Sequence, residues 1–338
     1  MRQALCDALD SPNRDLELSP LLNTQGYGIH SGQHSKISLF SANDSSLPIT
    51  FSAFWRNEVY SSPASYRRLS GTNRSTALVL RSPRDSKKVE LSTIEHLMSS
   101  LYVRGLPSLV VALDGQSEYQ NNKVEVPILD GSALPWELLL NNSSRELTKV
   151  NPFKKWYWLV VDSFHYELGS KKISFTPHFG SEFKINCEVN FKGGFHQKEE
   201  WNINWLDPEA GRESFCEDIA PARTFALKEE IDFLKKRGLA LGGSLDNAIV
   251  LDGSEVLNPG GFRLKNELAA HKLLDALGDL ALGGAPIVGQ VFCREAGHAF
   301  HLQALREAIA NRALRPAILD ESGKFKLTTE IPESLQFI

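Results

Sequence analysis

The order of apolar and polar residues along the chain predicts four helices. The first begins at residues 92–95, where a serine precedes a glutamate by three positions as in a capping box, and it ends near Gly105. The other three cover residues 133–140, 227–236 and 267–282. The last has leucines on one side and an unusual line of titratable residues on the other, so this helix also carries the first candidate chemistry.

Short apolar or alternating runs predict strands at residues 36–40, 109–113, 156–161, 173–177, 183–191 and 287–292. A glycine-rich loop at 26–32 precedes the first of them, and a polar surface loop is expected at 115–123. Both halves mix strands and helices without the regular alternation of a doubly wound sheet. We therefore expect an α+β fold of two layered domains, joined by a linker at 141–144.

Composition and charge narrow the class of protein. The chain has 338 residues, of which 42% are hydrophobic, so that two domains can each bury a core. A formal charge of −4 without a basic block gives no support to nucleic-acid binding. The N-terminus lacks the apolar run of a signal peptide, and no apolar window of about 18 residues predicts a transmembrane segment. We expect a cytoplasmic protein.

The four cysteines, Cys6, Cys187, Cys216 and Cys293, are widely separated in sequence. No pair has the close spacing of a thiolate metal site, and the pattern does not suggest a disulfide framework. Both features fit a protein of the reducing cytosol.

His271, Asp275 and Asp279 recur at every fourth position of the predicted helix at 267–282. At about 100° per residue they share one stripe of its surface. Residues four apart have Cβ atoms about 6 Å apart, so an imidazole and a carboxylate on neighbouring turns can bind one metal ion. The alternative is a solvated polar face with an internal ion pair.

Glu95 and His96 lie in the first turn of the helix that begins at 92–95. Together with His271 and Asp275, His96 would complete the three ligands of a catalytic zinc site that keeps one position open for water. Glu95 would then be the natural general base. Alternatively, Glu95 closes the capping box, and His96 is an ordinary hydrogen-bonding histidine near a helix start.

Three further residues are candidates for catalysis or binding. His298 follows a strand and a turn and could donate a proton, provided that a carboxylate such as Asp279 raises its pKa. Thr224 could stabilise an oxyanion, and Lys272 could bind phosphate. The corresponding alternatives are a turn histidine, a helix-capping threonine and a solvated lysine.

Taken together, these motifs resemble those of the UDP-3-O-acyl-N-acetylglucosamine deacetylase family of lipid A biosynthesis. The similar segments occur in the family's order, at residues 26–32, 92–98, 126–132, 222–225, 237–248, 271–279 and 297–299. The resemblance spans about Gly26 to Leu305. The domain boundaries that we expect are an N-terminal extension at 1–22, a first domain at 23–144 and a second domain at 145–338.

The resemblance implies two similarly folded, two-layer α/β sandwich domains with the active site between them. It implies one catalytic Zn²⁺ per chain, held by His96, His271 and Asp275. Because nitrogen and carboxylate ligands accept several divalent ions, Fe²⁺ is the alternative ion in the cell. Glu95 is implied as the general base, and His298, supported by Asp279, as the general acid. Thr224 is implied to stabilise the oxyanion together with the metal.

For the substrate, the resemblance implies that Lys272 contacts the polar head and that Phe191 lies against the uridine. An apolar passage for the acyl chain is implied at Phe225, Ile231, Ala240, Ile29 and Ala77. The partner is therefore a small UDP-sugar lipid, and we expect a monomer.

The chain departs from the family's pattern at three places. Residues 192–197 lack the His-Pro pair that usually follows the strand of Phe191, so nucleotide contacts there are expected to differ. Ala270 stands where arginine is common, and His301 stands where asparagine is common. None of these changes removes a proposed catalytic group.

The sequence thus predicts a zinc-dependent amide hydrolase that removes acetate from UDP-3-O-acyl-N-acetylglucosamine, the committed step of lipid A biosynthesis. Two alternatives are a zinc hydrolase of another N-acetylated sugar and a non-catalytic protein that binds UDP-lipid.

Overall fold

The computed structural model describes residues 1–9, 16–44, 47–82, 84, 86–106, 108–114, 122–143, 156–191, 194–320 and 322–329. Within them, two large sheets pack with helices, so the predicted α+β class is confirmed. The predicted linker at 141–144 is wrong at its start, because Asn141 and Asn142 belong to the helix Leu134–Asn142; residue 144 lies outside the described residues. Residues 115–121 of the predicted loop at 115–123 also lie outside them.

The first large sheet contains nine strands within the described part of the chain. They are β1 (Leu18–Tyr27), β2 (His34–Ala42), β3 (Thr50–Trp55), β4 (Glu58–Pro63), β5 (Leu69–Gly71), β6 (Ala77–Arg81), β7 (Lys88–Ser92), β8 (Leu109–Asp114) and β9 (Lys123–Glu125). Their order is β1-β2-β8-β3-β4-β6-β7-β9, with β5 beside β6. Because β1 begins at Leu18 and pairs with β2, the last residues of the predicted N-terminal extension belong to this sheet.

Eight described strands form the second large sheet, and three form a small one. The large sheet has β10 (Trp156–Val160), β11 (Phe164–Leu168), β12 (Lys171–Thr176), β13 (Glu182–Phe191), β14 (Phe195–Asn204), β18 (Ile287–Arg294), β19 (Leu314–Leu319) and β20 (Phe325–Leu327); the small sheet has β15 (Phe225–Leu227), β16 (Ile249–Asp252) and β17 (Glu255–Val256). In the large sheet, β18 is central, since it pairs with β10, β12 and β13.

The described α-helices are α1 (Arg2–Leu9), α2 (Glu95–Val103), α3 (Leu134–Asn142), α4 (Glu209–Ser214), α5 (Lys228–Lys236), α6 (Glu267–Leu280) and α7 (His298–Ala310). All four helices predicted from the sequence are therefore confirmed, as α2, α3, α5 and α6. None of the described helices is long and apolar enough to cross a membrane.

Two of these helices are buried on every side. All residues of α2 are buried, and Lys272 is the only residue of α6 that is not. A helix without a solvated face must lie between other layers, and here the apolar residues of α2 and α6 join both large sheets into one continuous core. The hydroxyl of Tyr102 on α2 accepts a hydrogen bond from the backbone nitrogen of Ile287, at the start of β18, at 2.9 Å.

The close approach of α2 and α6 depends on Gly278. A Cβ atom at this position would overlap the backbone carbonyl of Glu95 on α2, so only glycine lets the two helices meet at this distance. The first turn of α2 therefore lies directly against the last turn of α6.

Candidate metal centre and active site

His96, from the first turn of α2, meets His271 and Asp275, which are one turn apart on α6. Asp275 Oδ1 lies 3.9 Å from His96 Nε2 and 3.4 Å from His271 Nε2. The three side chains are buried, and each offers a ligand atom within 4.8 Å of the other two. The polar stripe on α6 thus faces α2 and not solvent, which excludes the solvated face that the spacing left open.

The hydrogen bonds around these three residues leave their ligand atoms available. His271 Nδ1 donates to the carbonyl of Ala222 at 3.0 Å, which fixes the tautomer with a free lone pair on Nε2. Asp275 Oδ1 is buried without a hydrogen-bond partner, while Oδ2 accepts from Lys272 Nζ at 2.7 Å. A buried carboxylate oxygen that faces two imidazoles and has no partner is what a cation site requires.

Their protonation states suit a metal as well. Burial lowers the pKa of His96 to about 3, and the charge of His271 adds to that effect. Burial also lowers the pKa of His271. For Asp275, burial acts in the opposite sense, but Lys272 and the histidines outweigh it and keep the carboxyl pKa below its usual range. Two neutral imidazoles and one carboxylate are a set that binds zinc and similar divalent ions.

Glu95, the residue before His96, lies beside this centre. Its Oε2 accepts a hydrogen bond from the backbone nitrogen of Thr76 at 3.0 Å. Burial raises the pKa of Glu95 to about 8, and the nearby charges of Asp275 and Asp279 contribute to the rise while His298 opposes it. A carboxyl group with such a pKa is suited to proton transfer near neutral pH.

The capping box expected at 92–95 is not formed, and that prediction is wrong. The residue before the helix is Ile94, which has helical dihedral angles and makes no side-chain cap. The carboxylate of Glu95 bonds to Thr76 instead of turning back to the helix start. Glu95 is therefore free of the structural role that the spacing suggested.

His298 is the first residue of α7 and lines the same cavity as the metal centre. Its Nδ1 donates to Asp279 Oδ2 at 3.0 Å, and its Nε2 lies 4.0 Å from Glu95 Oε1 and 3.9 Å from Asp275 Oδ2. Burial alone would lower the pKa of His298, but the charges of Asp279, Asp275 and Glu95 outweigh it and raise the pKa to about 9. His298 can therefore carry a proton at Nε2 and present it to the centre.

A cavity of about 740 Å³ opens over these groups. Lys272, Thr224 and Phe191 line it together with Glu95, His96, His271, Asp275 and His298. Thr224 does not cap α5, because the N-cap position of that helix is occupied by Leu227, which makes no side-chain cap. The backbone nitrogen of Thr224 donates to the carbonyl of Gly131, and its carbonyl accepts from the backbone nitrogen of Ile249. Phe191 packs edge-on against Phe225, with ring centroids 4.9 Å apart.

A second cavity, of about 330 Å³ and mostly apolar, borders the first. It shares Thr224, Phe225, Glu95 and His96 with the larger cavity and extends past Ile29, Ile231 and Ala240. The structure thus brings four of the five predicted acyl-chain residues together.

Ala77 is the exception among the predicted acyl-chain residues. It lines a different cavity, together with His30, Ser31 and Glu125. Ala77 begins β6, and the side chain before it, Thr76, bonds to Asp279 beside the metal centre. Because successive side chains of an extended chain point in opposite directions, Ala77 faces away from the centre.

Several residues around the centre have no signal in the sequence. Thr76 Oγ1 donates to Asp279 Oδ1 at 2.5 Å, and His301 Nδ1 donates to Asp279 Oδ2 at 2.8 Å. Arg223 is buried against Glu267, with Nε 2.8 Å from Oε1, and so fixes the segment that carries Thr224 to the start of α6. Each contact joins residues far apart in sequence, so spacing alone cannot reveal it.

Two of the cysteines, although widely separated in sequence, are neighbours in the structure. Cys187 on β13 and Cys293 on β18 are paired neighbours in the second sheet, and both are buried. The four described cysteines are nevertheless free thiols, as expected from the absence of a disulfide pattern.

Comparison with known proteins agrees with the resemblance found in the sequence. The model of the UDP-3-O-acyl N-acetylglycosamine deacetylase family matches residues 17–310. UDP-3-O-acyl-N-acetylglucosamine deacetylases from Mannheimia succiniciproducens and Vibrio parahaemolyticus are 35% and 32% identical to the chain; the matches cover 87% and 88% of this chain and 90% and 91% of those relatives. The enzyme of the same name from Myxococcus xanthus is 34% identical over 87% of this chain and 86% of its own length. The chain therefore belongs to the UDP-3-O-acyl N-acetylglycosamine deacetylase family.

Proposed function

We propose that this protein is a metal-dependent amide hydrolase that removes acetate from UDP-3-O-acyl-N-acetylglucosamine in lipid A biosynthesis. The observation that carries the proposal is the convergence of His96, His271 and Asp275 on one point in a cavity that also holds Glu95 and His298. Family membership supports the substrate, since the named relatives are deacetylases of this UDP-sugar.

His96 Nε2, His271 Nε2 and Asp275 Oδ1 would hold the ion, and Zn²⁺ is our proposal for it. When bound, zinc supplies a Lewis acid for the acetamide carbonyl and lowers the pKa of water toward neutrality. Nitrogen and carboxylate ligands also accept Fe²⁺, which is the alternative ion in the cell.

Glu95 acts as the general base in this proposal. Its Oε2 is held by Thr76, so Oε1 is the atom that can take a proton from the water attacking the acetamide carbon. Since Oε1 lies 4.0 Å from His298 Nε2, the base and the acid border the same small volume from different elements.

His298 acts as the general acid. Its Nδ1 is engaged by Asp279, so the proton that it can deliver is on Nε2, which faces the centre. When the carbon–nitrogen bond of the acetamide breaks, the sugar nitrogen takes this proton and leaves as the amine. The acetyl group, now bonded to the oxygen of the attacking water, leaves as acetate. Asp279 stabilises the imidazolium and fixes its orientation, as a carboxylate does for a catalytic histidine.

Three residues of the larger cavity have proposed substrate contacts. Thr224 stabilises the negative charge that develops on the carbonyl oxygen, Lys272 contacts the polar head, and Phe191 lies against the uridine. Lys272 already bonds to Asp275 Oδ2 and lies 5.4 Å above the ring of Phe225. Its ammonium group is therefore held between the proposed metal ligand Asp275 and the proposed substrate cavity.

The acyl chain would occupy the apolar cavity beside the centre. The apolar side chains of Ile29, Phe225, Ile231 and Ala240 in its walls suit the aliphatic part of the substrate. Glu95 and His96 also line this cavity, so an acyl chain bound there would place the rest of the substrate beside the metal centre. We further propose that residues 23–144 and 145–338 are two domains that enclose the centre. The proposed setting is the cytoplasm, with the protein acting as a monomer.

The direct test is the release of acetate from UDP-3-O-acyl-N-acetylglucosamine by the purified, metal-loaded protein. We expect turnover with this substrate and a much lower kcat/KM with the UDP-sugar that lacks the acyl chain. Equal rates for both would favour a hydrolase of another N-acetylated sugar. Binding of the acylated substrate without acetate release would favour a non-catalytic UDP-lipid-binding protein.

A further inference from the structure

His301 lies one turn beyond His298 on α7 and shares the same carboxylate. Its Nδ1 donates to Asp279 Oδ2 at 2.8 Å, and His298 Nδ1 donates to that same oxygen at 3.0 Å. His301 is 1% exposed, so water does not compete for its bond to Asp279. A single carboxylate oxygen thus serves two imidazoles, only one of which faces the reacting groups.

The remaining surroundings of Asp279 explain why this second imidazole matters. Its other oxygen accepts from Thr76 Oγ1 at 2.5 Å, and the carboxylate is fully buried. Three donors therefore hold a buried charge, and Thr76 and His301 are the two that do not themselves take part in the proposed proton transfer. Removing one donor from a buried carboxylate costs more than the same change at a surface.

The imidazole of His301 has a second buried neighbour. This neighbour is the side chain of Cys293 on β18, which lies beside Cys187 in the second large sheet. His301 therefore lies between Asp279 and that sheet. The carboxylate of Asp279 is held between Thr76, which precedes the first sheet's β6, and the imidazole of His301.

The terminal torsion of an aspartate side chain has a broad energy profile, so its hydrogen bonds define where each oxygen lies. A displaced Oδ2 would carry the ring of His298 with it. Misplacement of a catalytic group by about 1 Å can cost about a hundredfold in rate. The bond from His301 thus has a consequence at the centre although His301 does not reach it.

We propose that His301 is a positioning residue, whose Nδ1–H fixes the carboxylate of Asp279 and through it the orientation of His298. The inference rests on the proposed deacetylation, in which His298 is the acid. It assigns no contact with substrate or metal to His301.

Three substitutions separate this role from simple packing. His301→Asn keeps a donor at the place of Nδ1, His301→Leu has nearly the shape of asparagine without the donor, and His301→Gln moves the donor to the place of Nε2. We expect kcat for acetate release to stay within about threefold of wild type for His301→Asn and to fall by about ten- to a hundredfold for the other two, with KM unchanged within about twofold. Metal content should be equal in all folded variants.

A nitrogen NMR spectrum of the imidazoles gives a second readout that does not depend on turnover. We expect the His298 Nδ1 resonance in His301→Asn to match wild type, and the resonance in His301→Gln and His301→Leu to move. Should His301→Leu fail to fold, His301→Gln alone gives the comparison.

Unchanged kcat in both His301→Leu and His301→Gln, or an equal loss in all three variants, would overturn the inference. So would an unmoved His298 resonance throughout, even in a protein that released no acetate. Inactive wild-type protein with the expected NMR shifts would instead overturn the proposed function and leave the positioning role supported.

Discussion

Gly278 on α6 lies directly against the backbone carbonyl of Glu95 on α2, with no room for a side chain between them. This contact sets the distance between the helix that carries His96 and the helix that carries His271 and Asp275. The metal centre is therefore built by a helix crossing, and its geometry depends on a residue that has no ligand atom.

We expect Gly278→Ala to push the two helices apart. Overpacking of a buried contact costs about 1–3 kcal/mol, so the free energy of unfolding should fall by about that amount and zinc affinity should fall with it. Gly283→Ala is the matched control, because a Cβ atom there meets only ordinary contacts with Trp158 and Leu305. Calorimetric zinc titration and denaturant unfolding measure both effects; equal zinc affinity in the two variants would contradict this account of the crossing.

Glu95→Gln should retain metal and lose turnover. The amide keeps an oxygen acceptor for the backbone nitrogen of Thr76, so the local structure is preserved while the base is removed. Since general base catalysis contributes about 10²–10⁴-fold, kcat should fall by that factor at unchanged metal content. Near-full kcat in this variant would show that another group takes the proton.

Asp279→Asn should change the pH profile of kcat in a defined direction. The charge of Asp279 helps to raise the pKa of His298 to about 9, so removal of that charge lowers this pKa. Because the acid must be protonated, activity that wild type loses as pH rises toward and above 9 should be lost at lower pH in the variant. Glu209→Gln, at an exposed position, is the control and should keep the wild-type profile. If activity were lost at the same alkaline pH in wild type and in Asp279→Asn, the proposed effect of Asp279 on the pKa of His298 would be contradicted.

Ile231→Trp should fill part of the apolar cavity. We expect KM for the acylated UDP-sugar to rise by about tenfold or more, because burial of a few methylene groups contributes about 0.8 kcal/mol each. The rate with the UDP-sugar that lacks the acyl chain should change much less. An equal effect on both substrates would mean that the chain binds elsewhere.

The sequence predicted the chemistry of the centre better than the contacts that hold it. The four-residue spacing of His271 and Asp275 places both on one face whatever surrounds the helix, so this half of the site follows from helical geometry. The pairing with His96 came from ligand counting and from the family resemblance, since nothing local joins residues 175 positions apart.

One local pattern was misleading, and two other contacts have no local pattern at all, because tertiary packing decides all three. Ser92 and Glu95 have capping-box spacing, yet Thr76 takes the carboxylate. Cys187 and Cys293 are distant in sequence and adjacent in the sheet, because β13 and β18 pair directly. The bond from His301 to Asp279 likewise requires α6 and α7 to pack together, which no spacing within either helix encodes.

The central claim is that His96, His271 and Asp275 hold one divalent ion on which acetate release depends. The most direct measurement is acetate release from UDP-3-O-acyl-N-acetylglucosamine after chelator treatment, followed by stepwise addition of Zn²⁺. The account predicts that release stops in the stripped protein and returns in full at one equivalent per chain, and that His96→Ala binds no ion and recovers no activity. Undiminished release from the stripped protein, or full activity in His96→Ala, would contradict it.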